Sequence, residues 1–292
     1  MNLVELLESY KSIAIIGLGK NVGKTTVLNY LIREFHARRF ALALTSIGRD
    51  GEEIDVVTLK EKPRIFAPKN TIIITTEGLL ALSQVKYETL LKTDFFTPMG
   101  PCAVLRTSSS GLVQLGGPSI VAHMAEILAK IEGFGVDKIL IDGAVGRKSL
   151  AGLGQAAVLC TGAAIGGNMD DVIAQTRHAS EMLTLPKAPA TGGCVSLNGA
   201  VSDRRILELI NSGANLKDKL IVAENPTKIF ISPSTYAKLK IKGASLAVKT
   251  PLNLVAITTN PTTPTGANFN PAEFLAKMRE ALKIPVFNIL KE

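Results

Sequence analysis

Residues 12–30 hold the spacing of residue types best suited to chemistry. They run Ser-Ile-Ala-Ile-Ile-Gly-Leu-Gly-Lys-Asn-Val-Gly-Lys-Thr-Thr-Val-Leu-Asn-Tyr, so an apolar run meets a glycine-rich turn and then a helical pattern. Small residues allow successive backbone amides to converge on phosphate oxygens, and a helix N-terminus adds partial positive charge. This order of strand, turn and helix predicts a triphosphate-binding loop.

Each residue type in the loop has an expected task. The Lys24 ammonium can reach the β- and γ-phosphates, and the Thr25 hydroxyl can hold Mg²⁺. Leu18 stands where the usual pattern has its first glycine, and Lys20 is one residue out of register with the second lysine of some related ATPases. A Gly-Lys-Thr that occurs by chance in such a turn is the competing interpretation. The residues expected to bind nucleotide here are Gly19, Lys20, Asn21, Val22, Gly23, Lys24, Thr25 and Thr26.

Carboxylates follow several predicted strands. Asp142 ends the apolar run 138–141, where it can bind Mg²⁺ through water together with Thr25, although an aspartate that caps the next turn is the alternative. Asp50, with Glu52 beside it, follows the predicted strand 41–46 and can position the attacking water or a metal ion, with a solvated charged turn as the alternative. Glu77 after strand 71–76 is a weaker candidate. The predicted catalytic residues are Lys24, Asp50 and Asp142.

The base preference depends on the last predicted strand. The guanine-reading pattern Asn-Lys-x-Asp is absent from the sequence. Asn260 follows strand 254–258, where its amide could hydrogen-bond a purine edge. The sequence therefore predicts ATP in preference to GTP, with Mg²⁺ as the accompanying metal.

The elements that position these residues alternate between strand and helix along the chain. Runs such as Ile13–Ile16 and Ile139–Ile141 are apolar throughout, which indicates a parallel sheet covered on both faces. The lengths fit right-handed crossovers. We therefore predict an α/β fold: one doubly wound, mostly parallel domain over 1–292, resembling a P-loop NTPase, with a small appended lobe around 160–250. Residues 232–239 are predicted to be helical, whereas the alternating stretch Lys238–Lys242 at their end predicts a strand with one wet face.

Composition limits the function classes. The chain has 292 residues, 46% of them hydrophobic, and a net charge of +8. Its basic residues are scattered and aromatic residues are 5%, which argues against nucleic-acid binding. No apolar run is long enough for a membrane span, and the acidic N-terminus does not resemble a signal peptide. Three widely spaced cysteines do not suggest disulfides or a metal site. A cytoplasmic protein is expected.

Four segments together carry a family resemblance: 16–26, 45–52, 141–147 and 260–274. They read Ile-Gly-Leu-Gly-Lys-Asn-Val-Gly-Lys-Thr-Thr, Thr-Ser-Ile-Gly-Arg-Asp-Gly-Glu, Ile-Asp-Gly-Ala-Val-Gly-Arg, and Asn-Pro-Thr-Thr-Pro with a following Phe-Asn-Pro-Ala-Glu-Phe. The chain resembles the ATPase-like subunit of the lysine 5,6-aminomutase reactivase family, and ornithine aminomutase systems have a similar component.

That resemblance implies a role in cofactor repair. Such aminomutases use adenosylcobalamin and pyridoxal phosphate, and they lose activity when the cobalamin loses its adenosyl group. A reactivase uses nucleotide hydrolysis to release the damaged cofactor. The partners implied are a second reactivase subunit and the adenosylcobalamin-dependent aminomutase, and a homo-oligomer is compatible. Lys24, Thr25 and Asp142 would then perform hydrolysis, while the loops after Asp50 and Asp142 would carry the conformational signal.

Two other functions fit the same scaffold. One is an ATP-dependent ligase or phosphotransferase of the dethiobiotin-synthetase type, for which residues 107–117 could line a substrate pocket opposite the γ-phosphate. The other is a GTP-binding protein of cofactor biosynthesis, which the missing guanine pattern disfavours.

Overall fold

The computed structural model describes residues 1–47, 65–143, 153–189, 194–264, 266 and 268–289. Helices and strands alternate over most of this length. The helices are α1 (Leu3–Leu7), α2 (Lys24–Ala37), α3 (Glu77–Leu80), α4 (Val121–Ile131), α5 (Met169–Leu183), α6 (Asp203–Asn211), α7 (Pro233–Ile241) and α8 (Pro271–Ala281). The strands are β1 (Ser12–Gly17), β2 (Leu42–Ser46), β3 (Ile65–Ala67), β4 (Ile72–Thr76), β5 (Tyr87–Thr97), β6 (Gly100–Thr107), β7 (Gly111–Val113), β8 (Lys138–Asp142), β9 (Ala156–Gly162), β10 (Cys194–Ser196), β11 (Val201–Ser202), β12 (Leu220–Ala223), β13 (Ile229–Phe230), β14 (Ser245–Val248), β15 (Leu254–Asn260) and β16 (Val286–Phe287).

A nine-stranded sheet forms the centre of the molecule. Its order is β16-β15-β9-β1-β8-β2-β4-β6-β5. The strands from β16 to β4 in this order are mutually parallel. At one border, β6 runs antiparallel to both of its neighbours, β4 and β5. From β1 the chain winds outward in one direction to β2 and β4, and from β8 it continues in the other direction to β9 and β15. The carboxyl ends of β1 and its two neighbours therefore lie where the winding direction changes, which is where open α/β sheets bind ligands.

Helices cover both faces of the sheet. Every residue of β1 is buried, and alternate side chains belong to different hydrophobic clusters. Ile13 and Ile15 pack with α1 and α2, whereas Ala14 and Ile16 pack with α4, α5 and α8. The prediction of an α/β fold with a large, mostly parallel sheet is confirmed, and the arrangement is compatible with the doubly wound fold.

The antiparallel hairpin of β5 and β6 extends beyond what the sequence predicted. The sequence pattern predicts a strand at 102–107, within β6, and none over the 11 residues of β5. The register of β5 shifts between Thr89 and Leu91 and again between Lys92 and Phe96. These irregularities break the two-residue alternation of apolar and polar side chains, which is the signal that identifies a half-buried strand.

A second, smaller sheet lies between α5 and β15 in the sequence. It contains β10, β12 and β14 in parallel, with β11 and β13 as a separate pair. Its apolar side chains form their own cluster, which includes Ile206, Ile221, Leu239 and Leu246. This part of the chain corresponds to the later portion of the lobe predicted around 160–250, while α5 packs on the main sheet through Val172.

The stretch Lys238–Lys242 was predicted as a strand, and that prediction is wrong. Ser232 caps α7 by accepting a hydrogen bond from the Thr235 amide, Pro233 occupies the first turn, and Gly243 follows the helix with φ +78°. Capping residues of this kind fix a helix. They outweigh the short alternation of lysine with leucine and isoleucine.

Candidate functional site

The β1–α2 loop, residues 18–23, emerges from the centre of the sheet. The Leu18 amide donates to the Cys160 carbonyl on β9 (3.0 Å), which ties the start of the loop to the neighbouring strand. Gly23 adopts φ +89° as the residue before α2, a conformation that favours glycine, and no side chain caps the helix there. The sequence thus produces a tight turn that leads directly into a helix N-terminus.

Lys24 folds back over the start of the loop. A Cβ built on Gly17 would lie 2.8 Å from both Cγ and Cδ of Lys24 and 2.9 Å from Cγ2 of Val22. Glycine at position 17 is therefore what allows the lysine stem to cross the end of β1. Lys24 and Thr25 are half-buried, Thr26 is exposed and Val22 is buried. The arrangement places the lysine stem across the end of β1, at the start of the loop.

Backbone donors accompany that lysine. Val27 is the first residue of α2 whose amide donates within the turn, to the Gly23 carbonyl at 2.9 Å. The amides of Lys24, Thr25 and Thr26 donate to no acceptor in the part of the chain that the structure describes. Three amide donors at a helix N-terminus, next to an ammonium group, match the requirements of a polyphosphate.

Asp142 ends β8, the strand that pairs directly with β1. It aligns with Ile15 of β1 on one side and Ser46 of β2 on the other. The Gly143 amide donates to the Ile15 carbonyl (3.0 Å) and the Ile47 amide to the Asp142 carbonyl (3.1 Å), so the backbone on both sides is fixed. The side chain is half-buried and its Oδ1 atom is inaccessible to solvent. A carboxylate is thus held one strand away from the loop.

Cys160 of β9 lies opposite Gly17, at the start of the loop, and nearby charges affect the pKa of its thiol. Burial raises the pKa of its thiol to about 12, while the Thr258 hydroxyl and the Lys24 charge lower that pKa and the Asp142 charge raises it. Lys24 and Asp142 thus shift the pKa of this thiol in opposite directions. The thiol itself stays protonated, and we assign it a packing role.

Asn260 supports the loop from the end of β15. Its Nδ2 donates to the Asn21 carbonyl (3.0 Å), and its Oδ1 accepts from the Thr262 amide (3.2 Å) and hydroxyl (2.8 Å). Asn21, with φ +59°, is thereby held in the left-handed region. A small pocket between Gly23, Thr26 and Asn260 opens beside this contact. The contact of a purine with Asn260 stays a prediction, and loop support is a role that sequence reasoning missed.

Glu77 and the stretch 107–117 are the other predicted site features that the structure describes. Asp50 and Glu52 lie outside the described residues. Glu77 begins α3 directly after β4, at the same sheet edge as the loop. It is three strands away from the loop, because β8 and β2 lie between β1 and β4. The predicted substrate stretch 107–117 crosses the sheet: Thr107 is at the opposite edge, whereas Gly117 reaches the Ser46 carbonyl beside Asp142.

No helix in the described ranges is both long and apolar enough to cross a membrane, and His, Cys, Asp and Glu residues form no metal-binding cluster there. No protein-family model, curated protein or solved structure significantly matches this chain. The structural evidence for a function therefore comes from the geometry of the β1–α2 loop and Asp142.

Proposed function

We propose that this chain binds a magnesium nucleoside triphosphate, ATP in preference to GTP, at the β1–α2 loop and hydrolyses it. The observation that carries the proposal is the Lys24 side chain crossing Gly17 beside three amide donors of α2. If Gly-Lys-Thr occurred in this turn only by chance, the lysine stem would not be expected to lie across Gly17. A P-loop NTPase identity is the interpretation that these features support best.

The residues have distinct tasks in this proposal. Lys24 and the amides of residues 19–26 bind the β- and γ-phosphates and stabilise the charge that builds up on them during transfer. Thr25 and Asp142 offer the hard oxygen atoms that Mg²⁺ prefers, and the metal would neutralise phosphate charge. Asp50 stays the predicted residue for positioning water, with Glu52 and Glu77 as alternatives.

The biological role follows from the sequence resemblance. We propose that the chain is the nucleotide-hydrolysing subunit of a reactivase, which acts with a second subunit to release damaged cobalamin from an adenosylcobalamin-dependent aminomutase. This role predicts slow ATP turnover by the isolated chain and faster turnover when the mutase is present. A small-molecule ligase or phosphotransferase would instead turn over rapidly with its substrate and without a protein partner.

Isothermal titration calorimetry of Lys24→Ala tests the binding step. Loss of the ammonium should weaken binding of a non-hydrolysable ATP analogue about 100-fold or more, because charge-assisted contacts to phosphate are lost. Lys130→Ala is the matched control, since Lys130 is an exposed lysine of α4 that pairs with Glu126 (2.8 Å). Both variants should keep the same circular dichroism spectrum. Equal affinity of Lys24→Ala and the unmodified chain would contradict the proposal.

Hydrolysis assays separate the two activity classes. Phosphate release is measured with the chain alone, with an adenosylcobalamin-dependent aminomutase, and with that mutase inactivated by cobalamin damage. Stimulation by the damaged mutase supports the reactivase, whereas turnover that no mutase changes argues for a small-molecule enzyme.

A further inference from the structure

A second cavity lies on the β5–β6 hairpin, away from the β1–α2 loop. It is open to solvent on one side and has a volume of about 450 Å³ between the hairpin and α3. Pockets for small molecules have this order of size. Apolar side chains, including Leu80, Ala103 and Leu105, form part of its wall, and the hydroxyl-bearing residues Thr89 and Thr93 form another part.

The cavity exists because a short helix stands beside a long hairpin. The 14 residues of α2 cover the centre of this face of the sheet, whereas α3 has four residues. The hairpin is nevertheless held firmly at one end, since the Gly78 amide at the start of α3 donates to the Met99 carbonyl at the hairpin turn (3.0 Å). The surface between α3 and the hairpin is therefore fixed in position and only partly covered.

Two opposite charges line this cavity. Glu77 and Lys92 both contribute to its wall, and both side chains belong to exposed residues. Neither side chain forms an ion pair or a hydrogen bond with the described residues. Glu77 follows β4 and Lys92 lies on β5 opposite Ala103, with β6 between them. Two strand spacings separate β4 from β5 by about 9–10 Å, and the two residues are also offset along the strands, which leaves room for a small molecule between the charged groups.

We propose that this cavity binds a small zwitterion, a free amino acid with an apolar or long alkyl side chain. Glu77 accepts hydrogen bonds from the ligand's ammonium group, Lys92 donates to its carboxylate, and the side chain lies on Leu80, Ala103 and Leu105. The Thr89 hydroxyl makes no hydrogen bond among the described residues, so it is available to the ligand, whereas Thr93 already donates to the Cys102 carbonyl (2.7 Å). This cavity shares no residue with the β1–α2 loop and does not include Asp142.

Calorimetry with matched ligands tests the assignment of the two charges. The probe is L-leucine, compared with 4-methylpentanoate, which lacks the ammonium, and 3-methylbutylamine, which lacks the carboxylate. Each analogue should bind about tenfold or more weakly than leucine, because one charge-assisted hydrogen bond is lost. L-methionine, L-phenylalanine and L-lysine are titrated in parallel to define the side-chain preference.

Variants locate the binding to the cavity. Glu77→Gln and Lys92→Met should each weaken amino-acid binding about tenfold or more, while both keep the side-chain volume. Glu88→Gln is the control, since Glu88 lies on the same strand but pairs with Arg106 (3.2 Å) instead of lining the cavity. Lys24→Ala should bind the amino acid as tightly as the unmodified chain, so a failure of nucleotide binding would leave this result intact.

Three outcomes would overturn the proposal. The first is the absence of saturable binding for all of these amino acids at about 10 mM. The second is binding that persists unchanged in both cavity variants. The third is equal affinity for leucine and either singly charged analogue, which would indicate an apolar site or a surface for a protein partner.

Discussion

Gly17 and Lys24 show how one missing side chain creates a site. Because glycine has no Cβ, the lysine stem lies across the end of β1 at a distance where any larger residue would overlap it. The lysine stem is therefore placed by packing before any phosphate arrives, so less side-chain freedom is lost on binding.

Gly17→Ala tests this placement. The new Cβ would approach Lys24 to 2.8 Å, so we expect the lysine to be displaced, affinity for an ATP analogue to fall about tenfold or more, and stability to fall by about 1–3 kcal/mol. Gly133→Ala is the control, since a Cβ there meets nothing within 4 Å. Calorimetry and urea unfolding measure both effects, and unchanged affinity in Gly17→Ala would contradict the placement.

The cysteines provide a test of burial at the same scale. Burial raises the pKa of Cys102 to about 11 and that of Cys160 to about 12, so both thiols stay protonated at pH 8. We expect iodoacetamide to modify the half-buried Cys194 of the native chain, and all three cysteines once urea unfolds it. Mass spectrometry of the digested protein identifies the modified sites. Native labelling of Cys160 would show that the region under the loop opens.

Asn260→Ala distinguishes loop support from base recognition. If Asn260 supports the loop through the Asn21 carbonyl, its loss should weaken ATP and GTP binding by the same factor, about five- to tenfold. A residue that reads the base would change the ratio of the two affinities instead. Parallel titrations with ATP and GTP analogues measure that ratio.

At the scale of elements, strong local signals explain which predictions hold. The apolar run of β1, the glycine-rich loop and the start of α2 agree with one another, so their bounds were predicted closely. Asp142 was predicted at the end of an apolar strand and is the last residue of β8, because a continuous apolar run marks a buried parallel strand. The hairpin strand β5 was missed because its irregular register removes the periodic pattern, and α7 was partly misassigned because capping outweighs alternation. The support role of Asn260 depends on a contact between residues 239 positions apart, which no local pattern encodes.

Lys138 joins α1 to the sheet and gives a prediction for these elements. Its ammonium donates to the Glu8 and Tyr10 carbonyls after α1 and lies over the rings of Phe35 and Phe40 at 5.5 and 4.9 Å. Burial lowers the pKa of this lysine, while the Glu8 and Asp137 carboxylates raise it. Lys138→Met should lower the free energy of unfolding by about 2 kcal/mol, because two carbonyls lose their donor.

Urea unfolding at neutral pH measures the loss, with Lys130→Met as the exposed control. A Lys138→Met variant as stable as the unmodified chain would show that the cost of burying the charge cancels its contacts.

At the scale of the whole molecule, ligand binding and stability are linked. A ligand that binds only the folded chain stabilises it by an amount set by its concentration relative to Kd, about 2.7 kcal/mol at 100-fold excess. The proposed site lies at the centre of the nine-stranded sheet, so this gain should raise the Tm of the main transition.

Thermal unfolding with ATP analogue and Mg²⁺ measures that gain. We expect the rise in Tm to shrink when EDTA removes the metal and to disappear in Lys24→Ala. A rise that Lys24→Ala retains in full would locate nucleotide binding elsewhere on the chain.

The two register shifts in β5 also affect how copies of this chain behave in concentrated solution. An outermost strand with straight, regular hydrogen-bonding groups can recruit the same strand from a neighbour and grow into fibrils. Kinks at two points, together with Glu88, Lys92 and Asp94, make the border of this sheet a poor template for such growth. A chain with so many apolar strands thereby gains protection against aggregation.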